Sequence, residues 1–549
     1  MRKVVVLLVL FLIEPCLYAQ KSKNIPPEKP KLVIGIVVDQ MRYDYLTRFY
    51  DKFEQNGFKR LMNEGVICRY AYLNYIFTQT GPGHATIFTG TTPSNHGIVS
   101  NEWYIPLKKQ KVYCVEDSKQ TTVGSNSDNG KASPLYLMTP TLGDQLRLHY
   151  LNKSKVIAIS LKDRAAILPG GKNPNAAYWY DESTGNFITS TYYMKDLPKW
   201  VEEFNNKKLA DLYLSRLWTT LLPVNEYTES LRDSNNYELG FGKNQMVFPY
   251  DLSFLSKKNK NEKDYSILKS TPFGNTLVHD FAIAAIINEE LGKDNIPDIL
   301  TISFSATDYI GHRFGPRSVE LEDTYLRLDK EIAHLIDFIE NEIGKENVLI
   351  FLTADHGVAD SPDYLNDNKL TGGQFKQYYA LSLLRTYLNA TYGEGEWVLG
   401  YSDQQIFLNR NLIEDAKLSL KEVQEKVANF MIQFNGVANA ITAYSLQNQN
   451  FTDGLLKAMQ NSFHPKRSGD VLIALEPGWI EESPYLYDHN SAYSYDTHVP
   501  LFFYGWKIPR LAINRKVHII DVVPTLATLL QIEVPMGATG VPIQELIGN

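Results

Sequence analysis

Six short, largely apolar runs punctuate the chain at residues 33–38, 156–159, 299–304, 348–352, 471–475 and 501–504, and all but the third, which Thr301 and Ser303 interrupt, are continuous rather than alternating. A strand with one wet face alternates apolar and polar positions, whereas unbroken apolarity marks a strand covered on both faces, as in a parallel sheet flanked by helices. Between the third and fourth runs, Leu321, Leu328, Ile332, Leu335, Ile336 and Ile339 recur at helical spacing over residues 319–343, and Gly344 supplies a stop. Strand, helix, strand in that order is a parallel crossover. The pattern predicts an α/β fold with a doubly wound, mostly parallel central sheet and helices on both faces. Two stretches, at about 165–270 and 375–470, break the rhythm, the first being rich in Tyr, Asn and Lys. They are expected as cap-like insertions over the strand ends of a single catalytic domain spanning residues 20–549. No repeat at a solenoid period is present.

Polar residues with metal-binding or nucleophilic chemistry stand just after these runs. Asp39 ends the first, where a carboxylate can ligate a cation at the sheet rim or simply cap a helix. Asp308 and His312, four apart with Gly311 between them, follow the third and can point to one side of a helical turn. Asp355 and His356 follow the fourth, and Gly357 allows the sharp turn that would bring both to one ion. Oxygen and imidazole donors without thiolate suit zinc or another first-row divalent metal better than calcium. Thr80 lies in Thr78-Gln-Thr-Gly-Pro-Gly-His84, where Pro82 suits a first helical turn. A helix N-terminus carries free N–H groups and partial positive charge, which favour an alkoxide and a bound phosphate; an ordinary cap is the plain alternative. Lys162 and Arg164, one residue apart after the second run, would face one anion if extended, or form a solvated charged loop. His84 and His96 read as structural, hydrogen-bonded to nearby backbone.

Composition narrows the class. At 549 residues, 44% hydrophobic and 21% charged, the chain is globular in composition and large enough for one big core with insertions. A formal charge of −7 argues against a general nucleic-acid binder, whose affinity rests on clustered Lys and Arg. Arg2 and Lys3, the apolar residues 4–13 and Tyr18-Ala19-Gln20 form an export-signal pattern, with cleavage expected after residue 19. That apolar stretch is shorter than the roughly 20 residues a bilayer span needs. A lipidated Cys16 fits poorly, with Glu14 and Pro15 before it. Only Cys68 and Cys114 then remain, and spacing leaves a disulfide and two free thiols equally open.

With these residues in place, the chain resembles the alkaline phosphatase superfamily, most closely its phosphate-irrepressible periplasmic monoesterases of the PafA type, relatives of the nucleotide pyrophosphatase/phosphodiesterases. The likeness runs from Val33 to about Leu530. It implies two Zn2+ ions, one bound by Asp39, Thr80, Asp355 and His356 and the other by Asp308, His312 and His489. Asn101, Lys162 and Arg164 match the family's phosphate-contacting residues. The late histidine usually stands in a Thr-His-Gly context, whereas here it reads Asp488-His489-Asn490; His498 is the rival, and His489 is preferred for its distance to the Tyr-Asp-Thr-His-Val-Pro run. The resemblance implies hydrolysis of small phosphate monoesters through a phosphothreonine intermediate, by a periplasmic or secreted monomer with no nucleic-acid partner and no membrane attachment after signal cleavage. A phosphodiesterase or nucleotide pyrophosphatase on the same two metals is the runner-up, a carbon–phosphorus hydrolase is more distant, and an exported zinc-binding protein without turnover is the alternative outside enzymes. A sulfatase is disfavoured, since Thr80 stands where those enzymes carry a modifiable Cys or Ser.

Overall fold

A computed structural model describes residues 27–548 except 243–244 and 260–261, so the expected signal segment lies outside the described residues. The strands that build the architecture are β1 (Leu32–Val38), β2 (Val66–Tyr72), β3 (Thr122–Val123), β4 (Val156–Ser160), β5 (Ala176–Asp181), β6 (Asn186–Ser190), β7 (Asp298–Phe304), β8 (Val348–Thr353), β9 (Val398–Ser402), β10 (Gln405–Leu408), β11 (Val437–Thr442), β12 (Val471–Leu475), β13 (His498–Val499), β14 (Leu501–Gly505) and β15 (Leu511–His518). The helices used below are α1 (Thr80–Thr89), α2 (Asp163–Gly170), α3 (Pro272–Asn288), α4 (Ala306–Phe314) and α5 (Val319–Glu342).

The expected doubly wound sheet is present. Its centre is parallel, in the order β8, β1, β7, β4, β5, and every residue of these five strands is buried. That is why four of the five carry no polar alternation; in β7, Thr301 and Ser303 interrupt the apolar run and are buried all the same. One side continues antiparallel through β6 and β3; the other continues through β14 and then β2, both pairings antiparallel. β13 extends the same side of β2, while β15 pairs parallel along its other side. Thus two predicted runs differ from expectation. Residues 501–505 join the main sheet antiparallel, and 471–475 belong to a separate four-stranded antiparallel sheet in the order β9, β10, β12, β11. No helix among the described residues is long and apolar enough to cross a membrane. Cys68 and Cys114 are both buried free thiols, and burial pushes their pKa values up.

Candidate active site

Parallel strands of one sheet all end at the same rim, so the loops after β1, β4, β7 and β8 converge there. Asp39 follows β1 directly, Lys162 follows β4 as the residue just before α2 and Arg164 lies in the first turn of α2, Asp308 and His312 lie on α4 after β7, and Asp355 and His356 follow β8. The sequence of residues 79–83 brings the nucleophile candidate to the same place. Gln79, extended at φ −121° and ψ 165°, hands the chain into α1, whose first residue is Thr80. Gly83 is required there by space: a Cβ would come within 2.5 Å of the Asp355 carbonyl oxygen, backbone that cannot swing aside.

Two ligand-type clusters result. One oxygen or nitrogen from each of Asp39, Asp355 and His356 lies within 4.8 Å of the others, and the same holds for Asp308, His312 and His489. His489 and His356 stack with ring centroids 3.7 Å apart, so the clusters adjoin. The rival His498 lies elsewhere, between the rings of Tyr43 and Tyr72 at 4.4 and 4.6 Å, with Nε2 2.8 Å from the Arg69 carbonyl oxygen.

Lys162 Nζ sits between the clusters, 2.7 Å from Asp39 Oδ2 and 2.6 Å from Asp308 Oδ2. It also donates to Thr80 Oγ1 at 3.2 Å, and Arg164 Nη2 reaches the same oxygen at 3.4 Å. Asn101 accepts from the Gly81 N–H through Oδ1 at 2.8 Å, which caps α1 and fixes the amide so that Nδ2 is the end left for another acceptor. All ten residues singled out from sequence therefore meet at one rim.

Burial and close charges set the electrostatics of the site. Burial first, and the Asp355 charge second, push the Asp39 carboxyl well above the usual range despite Lys162. Burial would also raise Asp308, yet Lys162 and then His312 hold it well below. Against burial, which would lower it, Asp308 holds His312 up at about 9. Burial, then the charges of His356 and His312, keep His489 neutral. Buried Asp39 Oδ1 and Oδ2, Asp355 Oδ2 and His356 Nε2 have no hydrogen-bond partner; Asp39 Oδ2 has the Lys162 ion pair, and Oδ1 lies 3.5 Å from His356 Nε2. Groups this buried are satisfied by something, and carboxylate plus imidazole is the donor set of a first-row divalent cation.

Several residues at the site were not foreseen. Gln40, at φ 64°, donates from Nε2 to Asp308 Oδ1 at 2.9 Å and from its backbone N–H to Asp355 Oδ1 at 3.1 Å. Gln79 Oε1 accepts the Asn101 N–H at 2.7 Å. His84 does bond backbone, with Nδ1 2.9 Å from the Thr80 carbonyl oxygen, but the same nitrogen lies 3.2 Å from Asp355 Oδ2. His96 is structural as expected, facing Thr86 Oγ1 and the Ile98 N–H. Tyr485, half exposed, lies on the rim 5.3 Å from the His312 ring. Gln40 and Gln79 stand next to Asp39 and Thr80 in the sequence, but adjacency does not say what they bond; His84 and His96 read from sequence only as structural, and nothing marked Tyr485.

The family model described as type I phosphodiesterase / nucleotide pyrophosphatase matches residues 33–499. The chain belongs to this family and, within it, stands with the PafA-type alkaline phosphatases. It is 40% identical over 546 residues to alkaline phosphatase PafA of Elizabethkingia meningoseptica, covering 99% of each chain. It is 40% identical to alkaline phosphatase PhoV of Synechococcus elongatus, covering 94% and 93%. A protein of Myroides odoratus named calcium-transporting ATPase is 43% identical over 528 residues, 95% of each chain. A crystal structure of wild-type alkaline phosphatase PafA matches with a TM-score of 0.90 at 40% identity, over 95% of this chain and 99% of that one.

Proposed function

We propose that this chain is an exported alkaline phosphatase that hydrolyses small phosphate monoesters, with Thr80 as nucleophile and two Zn2+ ions as cofactors. The observation that carries the reading is the position of Thr80 Oγ1, at the start of a helix, facing Lys162 Nζ and Arg164 Nη2 beside two adjoining sets of buried, under-partnered carboxylates and imidazoles. Asp39, Asp355 and His356 with Thr80 would hold one ion, and Asp308, His312 and His489 the other. Bound there, a zinc pair supplies Lewis-acid stabilisation of the attacking and leaving oxygens.

The chain's own residues supply the rest. The helix N-terminus and the Lys162 ammonium both favour the alkoxide form of Thr80. Attack forms an Oγ1–P bond as the ester P–O bond breaks, giving phosphothreonine and a freed alcohol; water then attacks phosphorus, the Oγ1–P bond breaks, and inorganic phosphate leaves as the Thr80 hydroxyl is restored. Lys162, Arg164 and Asn101 Nδ2 hold the nontransferring oxygens. A monoester dianion presents more of these than a diester, so two cations and an amide favour monoesters. The transport named for the Myroides relative is not taken over, because calcium sites use oxygen donors and both clusters here carry imidazole. The same reading makes the protein a periplasmic or secreted monomer.

The test is turnover of an aryl phosphate by the mature chain, with zinc content measured alongside. Thr80→Ala should lower kcat/KM by about 10³-fold or more while zinc binding persists. Wild-type turnover by that variant, or full turnover after complete zinc removal, overturns the reading.

A further inference from the structure

The hairpin β9–β10 belongs to the small sheet, yet its tip reaches the site. Ser402 pairs with Gln405, so Asp403 and Gln404 form a two-residue loop, and both are left-handed, at φ 48° and 61°. That is the signature of a type I′ turn, which points the two loop side chains in fixed directions. The turn is docked: the Ile473 N–H donates to the Gln404 carbonyl oxygen at 2.9 Å, and Ser402 Oγ donates to the Glu102 carbonyl oxygen at 3.2 Å.

Each tip residue ends beside a different half of the site. Ser100 Oγ shares its one proton between Asp403 Oδ2 and Gln79 Oε1, and Gln79 Oε1 also accepts the Asn101 N–H. Asp403 thereby fixes the residue preceding Asn101. Gln404, 3% exposed, donates from Nε2 to the Asn490 carbonyl oxygen at 3.1 Å and so fixes the residue following His489. That second tie has a particular reason in this chain. Asn490 has φ 112°, a conformation costly for any residue with a Cβ, at the position where the resembled family usually carries glycine. A strained residue persists only when its surroundings over-determine it, and the Gln404 bond helps to hold this one.

We infer that Asp403 and Gln404 are positioning residues, one holding the phosphate-binding arm through Ser100 and Asn101, the other holding His489 by restraining a left-handed Asn490. The inference rests on the phosphatase reading, and its readouts are chosen to fail separately from it. In the zinc-loaded full chain, three quantities are measured: kcat/KM on an aryl phosphate, the dissociation constant of inorganic phosphate, and the rate of zinc loss to a chelator. Asp403→Ala should weaken phosphate binding and lower kcat/KM by about 10-fold, the worth of one charged hydrogen bond, without hastening zinc loss. Asp403→Asn, which keeps an acceptor and tolerates the left-handed turn, should restore both. In an Asn101→Ala background, Asp403→Ala should add little.

Gln404→Ala should hasten zinc loss by about 10-fold, and Asn490→Gly in the same chain should reverse this, because glycine removes the strain the glutamine restrains. A lower melting temperature for Asp403→Ala with unchanged phosphate affinity overturns the first arm. Unchanged zinc retention in Gln404→Ala, or failure of Asn490→Gly to rescue it, overturns the second. Absence of turnover by the wild-type chain would sink the phosphatase reading instead, while phosphate binding and zinc retention would still decide the brace.

Discussion

Lys162 is the residue on which the site's charge balance turns. Its ammonium touches a carboxylate of each cluster and the Thr80 hydroxyl, all within 3.2 Å. On the proposed reading, replacing it would remove one of two cations from the nontransferring oxygens; it also leaves Asp39, raised by burial and by Asp355, with one compensating charge fewer. Lys162→Ala and Arg164→Ala are each expected to lower monoester kcat/KM by about 10²-fold, in the range seen for loss of one preorganised donor. Diester hydrolysis should fall much less, because a diester offers fewer charged oxygens to lose. Parallel assays on an aryl phosphate and a bis-aryl phosphate decide it, and equal losses would contradict the assigned role. At this scale the sequence was informative wherever a functional residue directly followed a buried strand, as Asp39 and Asp355 do, since strand apolarity is written in consecutive residues. Lys162 was legible as an anion contact but not as a bridge, because Asp39 and Asp308 become its neighbours only through the fold. Gln40 and Gln79 were invisible for the same reason: what they bond depends on loops brought together from distant segments.

Among elements, α5 was readable almost to the residue, expected over 319–343 and observed over Val319–Glu342, because its apolar stripe faces one core. β12 was read as a strand but placed in the wrong sheet. Val471, Ile473 and Leu475 pack into the core of the small sheet, while Leu472 and Ala474 face a second cluster with Ile76 and Phe77. A strand between two cores shows unbroken apolarity whatever the direction of its neighbours, so the pattern alone could not tell the two cases apart.

The packing of α3 against α5 encloses the Glu331 carboxylate. Thr276 Oγ1 donates to one oxygen, the other has no partner, and Asp280 and Arg327 are its charged neighbours. Burial, opposed by the Thr276 bond, pushes its pKa up to about 8. The native state therefore holds a proton that the unfolded chain releases in the ordinary glutamate range. This stability is fully present below that range and is lost as pH rises through about 8. Glu331→Gln is expected to leave the melting temperature nearly unchanged at pH 5 and to raise it at pH 9. A variant that melts lower than wild type at pH 9 would show that the charged form is the one accommodated.

For the molecule as a whole, the site is a set of like charges that folding forces together. Asp39, Asp308 and Asp355 are buried within one rim, and burial alone disfavours each as an anion. A cation that binds only the folded chain should repay this by mass action. Stripping with a chelator is expected to lower the melting temperature by several degrees, and zinc should restore it in a concentration-dependent way. Magnesium at the same concentration should not, given the imidazole donors. Equal melting with and without bound metal would show that the clusters are self-sufficient.

The neighbours of β2 carry one more consequence. Residues 66–72 take every sheet partner they have from residues 498–518, and β14 closes the flank of β8 in the same step. An early segment must therefore wait for one more than 400 residues further along the chain. A polypeptide cut short near residue 495 would bare the flank of one core strand and strand another without company, so it should accumulate as aggregate rather than as a smaller working enzyme. Residues 498–518 are thus the keystone of this flank: the parallel centre can pair without them, but β2 and the open edge of β8 cannot.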